Sequence, residues 1–309
     1  MAGPLLAAST TAASRKTGVA ALSIASNAVL IVLKLAAGAI TGSVAIITEA
    51  MHSSVDLIAS IVAYVSVRTA DKPADSDHPY GHDKFENLAA AIEAMLILVG
   101  AGVIVFESVR RLSSGAEVHS LGVGIAVIAF SVVANVVVST LLARRARETE
   151  SPALEGDAAH LRTDAATSAA VLVGLVAVQL TGAAWLDPVI ALAVAAAIVY
   201  AGIKLLMRAS RVLVDEALPP AELDAVRAAI QEFGPRGVCG YHKLRARRAG
   251  SRRYVDLHVQ FVSGTTLEAA HAIAHQLQDA IRARVRGADV LIHLEPEASL
   301  HPGTELRAP

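Results

Sequence analysis

The amino-acid sequence predicts a multi-pass α-helical membrane protein, with six transmembrane helices followed by a small cytoplasmic α+β domain. Three observations predict this fold class: an apolar composition, six long apolar runs, and a change to the pattern of a soluble domain in the last third of the chain. Of the 309 residues, 54% are hydrophobic and 18% are charged, whereas soluble proteins contain about 25% charged residues. The net charge of −1 argues against a nucleic-acid-binding protein, because that class needs a basic surface to neutralise phosphates.

The six apolar runs are each long enough to cross a hydrocarbon core of ~30 Å as a helix that rises ~1.5 Å per residue. They are apolar around most of their circumference, as contact with lipid requires. Residues 17–210 are therefore predicted to be the transmembrane domain. Residues 1–16 are predicted to be a flexible tail. They are not expected to be a cleavable signal peptide, because the basic pair Arg15 and Lys16 follows the apolar residues, which is the wrong order. The predicted spans are residues 18–40, 44–67, 88–106, 121–142, 158–180 and 186–207.

Lysines and arginines in the loops predict the orientation, because they accumulate on the cytoplasmic side of a membrane. With six spans both termini lie on one side, and the opposite side has only Arg110 and Arg111. Both termini are thus expected in the cytoplasm, and the short links favour a bacterial inner membrane. The basic residues on the side of the termini are Arg15, Lys16, Arg68, Lys72, Lys84, Arg144, Arg145, Arg147, Arg208 and Arg211.

Residues 211–298 are predicted to form the cytoplasmic domain, and residues 299–309 a second flexible tail. Thr265 and Glu268 form a capping-box pattern at the start of the second helix. A domain of this size is small for independent stability, so dimerisation would help it. The expected order is helix, strand, strand, helix, strand, with helices at residues 221–233 and 265–285 and strands at residues 237–247, 254–261 and 290–292.

Two of the predicted membrane helices carry the same pair of polar residues. His52 and Asp56 lie in the second span, His160 and Asp164 lie in the fifth, and a spacing of four residues places each pair on one helical face. A charged residue at the centre of a membrane helix costs about 2.5–3.5 kcal/mol, so it needs a partner or a function. Two imidazole nitrogens and two carboxylate oxygens suit tetrahedral zinc better than magnesium or calcium, which take six or more oxygens. Either pair alone could be a buried hydrogen-bonded pair, but the repetition favours a metal site.

Four segments carry a family resemblance. They are TEAMHSSVD at residues 48–56, DHPYGHDK at residues 77–84, HLRTD at residues 160–164 and VLIHLEP at residues 290–296. Together they resemble the cation diffusion facilitator family of six-span metal–proton antiporters, which have a metallochaperone-like C-terminal domain. The resemblance covers nearly the whole chain. It implies that the transport site of a zinc-preferring branch, often tolerant of cadmium, consists of His52, Asp56, His160 and Asp164.

The resemblance implies two further metal sites. One lies in the loop between the second and third spans and contains Asp75, His78 and His82, although a solvated polar loop that caps the next helix would also explain these residues. The other is a binuclear zinc site at a dimer interface of the cytoplasmic domain. It would contain His242, His258, His271, His293 and Glu295.

One departure from the family pattern is Glu295, because the family often has Asp at that position, although the longer carboxylate can still bind a metal. His271 and His275 could equally be two surface histidines of a helix. Further costly polar residues in the spans, which could line a permeation path, are Asn27, Glu49, Glu93 and Asn135. Glu49 could orient His52 or reach the membrane interface.

The expected function is proton-coupled efflux of a divalent metal cation from the cytoplasm. Metal ligation needs neutral imidazole and ionised carboxylate, so metal and protons compete for the same groups. Zn²⁺ is the expected substrate and regulatory ligand, with Cd²⁺, Co²⁺ and Fe²⁺ as alternatives. The expected partners are metal ions, protons, the lipid bilayer and a second copy of the chain. Two alternatives are a membrane-embedded metallohydrolase, which a fully protein-ligated metal disfavours, and a metal sensor with a membrane anchor.

Overall fold

The computed structural model describes residues 4–41, 44–114, 122–183, 185–300 and 306. Within these ranges, the side chains of His52 and Glu49 lie outside the described part of the structure. The chain divides into two compact units, Met1–Ser210 and Arg211–Pro309.

The first unit consists of long α-helices, and each predicted span corresponds to one of them. Alanine, which is the strongest helix former, is the commonest residue in these segments. The helices are α1 (Pro4–Thr41), α2 (Val44–Ala70), α3 (Lys84–Ser114), α4 (Gly122–Thr149), α5 (Pro152–Thr181) and α6 (Leu186–Leu213).

Over the described residues, four segments are long and apolar enough to cross a membrane. They lie in α1, α3, α4 and α6, at Lys16–Ala37, Lys84–Arg110, Ile128–Thr149 and Pro188–Leu213. The helices that carry the histidine–aspartate pairs, α2 and α5, do not meet this measure within the described residues. The number of six spans therefore stays a prediction.

The N-terminal segment differs from the predicted flexible tail, because α1 already begins at Pro4. Proline is favoured in the first helical turn, and the alanine-rich residues that follow have high helix propensity. Lys16, which was expected in the tail, is buried and donates to Glu86 Oε1 at 3.0 Å. The prediction failed because it treated the absence of a long apolar run as the absence of a helix.

Helix α5 is the centre of the first unit. It packs against α4, α3 and α2, while α1 packs against α2 and α4. Many of the buried side chains at these contacts are alanines, and small residues let the backbones of membrane helices approach closely. The side chains of α5 that face α2 and α3 therefore lie close to polar side chains of those two helices.

The second unit is a three-stranded sheet with two helices. Strand β1 (Val238–Ala249) pairs antiparallel with β2 (Arg252–Phe261), and β2 pairs parallel with β3 (Ala288–Pro296). Helix α7 (Pro220–Gln231) precedes the sheet, and α8 (Leu267–Arg284) is the crossover between the two parallel strands. The predicted order of helix, strand, strand, helix, strand is confirmed.

The core of this unit lies between one face of the sheet and the two helices. Val255, Leu257 and Val259 of β2 are buried against residues of α7 and α8, including Leu277 and Ile281. Because side chains alternate between the faces of a strand, His258 and Gln260 belong to the opposite face. The face of the sheet that carries the predicted metal ligands is therefore separate from the hydrophobic core.

Two local predictions for this unit differ from the structure. The cap of α8 is Thr266, whose hydroxyl accepts from the Ala269 amide at 3.2 Å, whereas Thr265 donates to the Val262 carbonyl. Only Thr265 has a glutamate three residues later, so the capping-box pattern selected the wrong one of two adjacent threonines. The predicted tail at residues 299–309 is anchored at Leu306, whose amide donates to the Cys239 carbonyl at 3.0 Å and whose side chain packs on the core.

The Leu277→Ala substitution should destabilise the cytoplasmic domain by about 2–5 kcal/mol, the usual range for a buried leucine, because it leaves a cavity. Leu277 is 0% exposed, whereas Leu267 on the same helix is 76% exposed. The matched Leu267→Ala variant should change the stability by less than about 0.5 kcal/mol. Amide hydrogen exchange of β2 and α8 in the full-length protein measures both changes. Equal effects of the two variants would contradict the assigned core.

Candidate metal sites

The first cluster lies between α2 and α5 in the helical unit. Asp56 of α2 and His160 of α5 are buried, and Asp164 lies one turn further along α5. His160 Nε2 is 3.3 Å from Asp56 Oδ1 and 3.8 Å from Asp164 Oδ2. The structure thus brings together three of the four residues predicted for the transport site. The fourth, His52, belongs to α2, but its side chain lies outside the described part of the structure.

A hydrogen-bond network lies beside this cluster and connects α1, α2 and α5. Ser23 and Ser60 each donate to Asp157 Oδ1 at 3.1 Å, and Asn27 Nδ2 donates to Ser60 Oγ at 2.8 Å. The same amide nitrogen is 3.5 Å from the backbone carbonyl oxygen of Asp56. The network therefore connects α1 and α5 to the turn of α2 that carries the predicted ligand Asp56.

Asp157 was missed in the sequence, because the predicted fifth span began one residue after it. A signal was present, since a carboxylate three residues before His160 lies on nearly the same helical face. Asp157 is fully buried in the structure. It belongs to the same polar interior as the predicted ligands.

The second cluster lies in the loop between α2 and α3. Asp75 Oδ2 is 3.2 Å from His82 Nε2, and Asp75 Oδ1 is 3.5 Å from His78 Nδ1. The two imidazole rings have centroids 4.6 Å apart, and each ring also contacts Phe85. The three predicted loop residues are thus close enough to share one cation.

The loop is organised by the carboxylate of Asp75. Its Oδ1 accepts from the backbone amides of His78 at 2.7 Å and Asp77 at 3.1 Å. The hydrogen bond from the His78 amide is the main reason why the pKa of Asp75 is below its ordinary value. Gly81 turns the chain with φ of 85° toward α3, a conformation that residues with a side chain rarely adopt. The ordered turn keeps an ionised carboxylate beside two histidines.

The third cluster is a row across the sheet of the second unit. His242 of β1 is in register with His258 of β2, and His258 is in register with His293 of β3. Paired residues of neighbouring strands project from the same face, so strand register alone aligns the three histidines. A bulge follows His242, where Lys243 has a φ of 49°.

Glu295 is the centre of this third cluster. Its Oε1 is 2.6 Å from His258 Nδ1, and its Oε2 is 2.8 Å from His242 Nε2 and accepts from Gln260 Nε2 at 2.9 Å. Burial raises the pKa of Glu295, but these hydrogen bonds, above all that from His258, outweigh it and lower the pKa to about 2. His293 Nε2 lies 3.9 Å from Glu295 Oε1. The carboxylate of Glu295, on β3, therefore reaches β2 and, across it, β1.

His271 is not part of this cluster within the chain. It lies on α8, which covers the core side of the sheet, and its Nε2 is 3.1 Å from Nε2 of His275. Both side chains are exposed. The prediction that His271 joins the other four ligands is therefore not met inside one chain, because the helix and the histidine row lie on opposite faces of the sheet.

In metal-free buffer the Glu295→Gln substitution should destabilise the cytoplasmic domain by about 2 kcal/mol at neutral pH, because it replaces charge-assisted hydrogen bonds with neutral ones. The pKa of Glu295 is lowered from 4.5 to about 2. Its contribution is therefore present above pH 4.5 and lost as the pH falls toward 2. Thermal unfolding of both proteins from pH 7 to 2 should show a converging difference.

The control for this prediction is Asp279→Asn, which removes an exposed partner of Arg282. A surface pair of this kind contributes about 0–1 kcal/mol. A Glu295→Gln effect that stays constant down to pH 2 would show that its cause is packing and not charge.

Comparisons with known proteins identify the family of the chain. Residues 20–214 match the family model of the cation efflux transmembrane domain, and residues 218–297 match that of the cytoplasmic domain of cation efflux proteins. An uncharacterized transporter of Synechocystis sp. is 37% identical over 277 residues, which are 90% of this chain and 89% of that protein. The cation-efflux pump FieF of Salmonella schwarzengrund is 32% identical over 286 residues, which are 91% of this chain and 92% of the pump.

Among solved structures, the zinc form of CzrB is 34% identical and matches 28% of this chain and 98% of its own, with a TM-score of 0.27. The two family matches together cover both units of the chain. The chain therefore belongs to the cation diffusion facilitator family, whose members transport divalent metal cations across membranes and are not enzymes.

Proposed function

We propose that the protein exports Zn²⁺ from the cytoplasm in exchange for protons, with His52, Asp56, His160 and Asp164 as its transport site. The observation that carries this proposal is the cluster between α2 and α5, in which the ligand atoms of Asp56, His160 and Asp164 all lie within 4.8 Å of one another. His52 is assigned as the fourth ligand from its position one helical turn before Asp56.

The donor set supports zinc over harder cations. Two imidazole nitrogens and two carboxylate oxygens match the tetrahedral geometry that zinc takes with four protein ligands. Magnesium and calcium prefer six or more oxygens, which this cluster does not supply in its described part. Cd²⁺, Co²⁺ and Fe²⁺ accept the same donors and are expected to compete with zinc.

Proton coupling follows from the position of the His160 imidazole. Its Nε2, the atom that would bind the metal, faces Asp56 and Asp164. When the metal is absent, a proton on Nε2 can be donated to Asp56 and adds positive charge beside Asp164, and the metal must displace this proton to bind. The zinc ion and the proton therefore neutralise the same carboxylates, and each excludes the other.

The transport cycle follows from this exclusion. In an inward-open state, zinc from the cytoplasm displaces the proton from the ligands. Movement of the helices then opens the site outward, where protons displace the zinc. We place both termini in the cytoplasm and the protein in a bacterial inner membrane, on the distribution of basic loop residues.

We further propose that the other two clusters bind zinc without transporting it. The cluster of Asp75, His78 and His82 would hold zinc in the loop beside α3. The cluster of His242, His258 and Glu295, with His293 beside it, would be a regulatory site in a cytoplasmic domain that dimerises. In a dimer, His271 of a second copy could supply the ligand that the cluster of one chain lacks.

The Asp56→Asn and Asp164→Asn variants should each lower zinc uptake into inverted vesicles by at least about 100-fold. Each substitution removes a charged ligand, which costs more than about 2.7 kcal/mol when its partners stay buried. The matched control is Glu148→Gln, an exposed residue of α4 that pairs with Arg145. It should transport like the wild type, and the wild-type rate should increase with the proton gradient. Flux retained in either aspartate variant would refute the site.

The three clusters should bind zinc independently. Equilibrium dialysis of the full-length protein with ⁶⁵Zn should show that Asp56→Asn, His82→Ala and Glu295→Gln each reduce the bound zinc without abolishing the rest. Each variant removes a ligand from only one cluster. His275→Ala, which lies outside all three clusters, serves as the control. A variant that leaves the amount of bound zinc unchanged would show that its cluster does not bind zinc.

A further inference from the structure

A second pair of buried carboxyl groups lies in the helical unit, apart from the proposed ligands. Glu93 of α3 is 0% exposed, and neither of its carboxylate oxygens has a hydrogen-bond partner among the described residues. Asp157 of α5 is also fully buried, and its Oδ2 has no partner in the same part of the chain. The charge of an ionised Glu93 would therefore have no donor to stabilise it.

A glycine of α5 makes room for the Glu93 carboxyl group. A Cβ atom built on Gly156 would lie 2.4 Å from Glu93 Oε2 and 3.1 Å from its Cδ, so only a residue without a side chain leaves room for this carboxyl group. Asp157 follows directly in α5 and interacts electrostatically with Glu93. The close approach of α3 and α5 thus places the Glu93 carboxyl group beside Gly156, the residue that precedes Asp157.

The surroundings of Glu93 supply no cation among the described residues. From α6, the side chains that pack on this stretch of α3 are apolar, and they include Ile198, Leu205 and Ala209. From α2, the Ser60 hydroxyl is directed to Asp157. The titratable groups near the pair are Asp157 itself and His160, which acts on Asp157 from one turn along α5.

We propose that Glu93 binds and releases a proton during each transport cycle, with the buried carboxyl group of Asp157 nearby. This inference rests on the proposed proton exchange. The carboxylate takes up one proton from the outer solution, becomes neutral, and returns the proton to the cytoplasm when the site opens inward. Glu93 lies five residues inside the predicted span of residues 88–106, about 8 Å from its start at ~1.5 Å per residue and thus within the ~30 Å core.

This role is separate from metal ligation. Glu93 is absent from the cluster of Asp56, His160 and Asp164. A proton on Glu93 therefore does not compete directly with the zinc ion for a ligand atom. It would add to the number of protons that the exchange moves for each zinc ion.

The test counts the protons that move per zinc ion in proteoliposomes, with a pH-sensitive dye and a zinc-sensitive dye. Glu93→Gln has nearly the size of the protonated acid but cannot release a proton. This variant should transport zinc with about one proton fewer per ion and a weaker dependence of the rate on pH. The matched control is Glu107→Gln, on the same helix, whose carboxylate pairs with Arg110 near the surface. It should keep the wild-type proton count.

Labelling provides a second measurement that needs no variant. Dicyclohexylcarbodiimide reacts with protonated carboxyl groups in apolar surroundings, and mass spectrometry locates the adduct. We expect labelling of Glu93 in the reconstituted wild type, with less labelling as the pH rises. A Glu93 that is never labelled would overturn the inference even if the Glu93→Gln variant failed to fold.

Two other outcomes would also overturn it. One is a wild-type proton count in Glu93→Gln, which would leave the proposed antiport intact while removing Glu93 from it. The other is the loss of one bound zinc ion in Glu93→Gln, which would make the pair a metal site. A wild type that moves zinc without protons would instead refute the antiport, and this inference with it.

Discussion

Carboxylates inside an apolar helix bundle lose the hydration that stabilises them in water, so each needs a cation, a hydrogen-bond donor or a proton. The carboxylates of the helical unit differ in the partners they have among the described residues. Asp56 and Asp164 approach the imidazole of His160, Asp157 accepts two serine hydroxyls, and Glu93 has no donor among the described residues. Metal ions and protons are alternative ways to meet the same requirement. The proposed coupling between metal and proton movement therefore needs no further structural element.

The cytoplasmic domain also contains a carboxylate that needs stabilising partners, and it positions these partners in a different way. Strand register, and not helix packing, aligns His242, His258 and His293 on the face of the sheet opposite the core. Glu295 then holds two of them by short hydrogen bonds. A preformed cluster of this kind loses little conformational entropy when it binds a ligand. This face could therefore respond to metal without a change in the fold that carries it.

The parts of the fold and site that depend on short-range spacing could be predicted from the sequence. The four-residue spacing of His160 and Asp164 and the alternation around His258 both predict a shared face, and the structure has it. Features that depend on tertiary packing could not be predicted. The approach of α3 to Gly156 is one example, and the separation of His271 from the histidine row is another. Asp157 was missed because a hydropathy pattern ends where polar residues begin, although the helix continues.

The central claim is that one zinc ion is bound between α2 and α5. Its most direct test is a structure of the zinc-loaded full-length protein with anomalous scattering measured on both sides of the zinc absorption edge. The account predicts a peak about 2.0–2.2 Å from the ligand atoms of His52, Asp56, His160 and Asp164. Zinc peaks confined to the loop and the cytoplasmic domain, with none between the two helices, would contradict it.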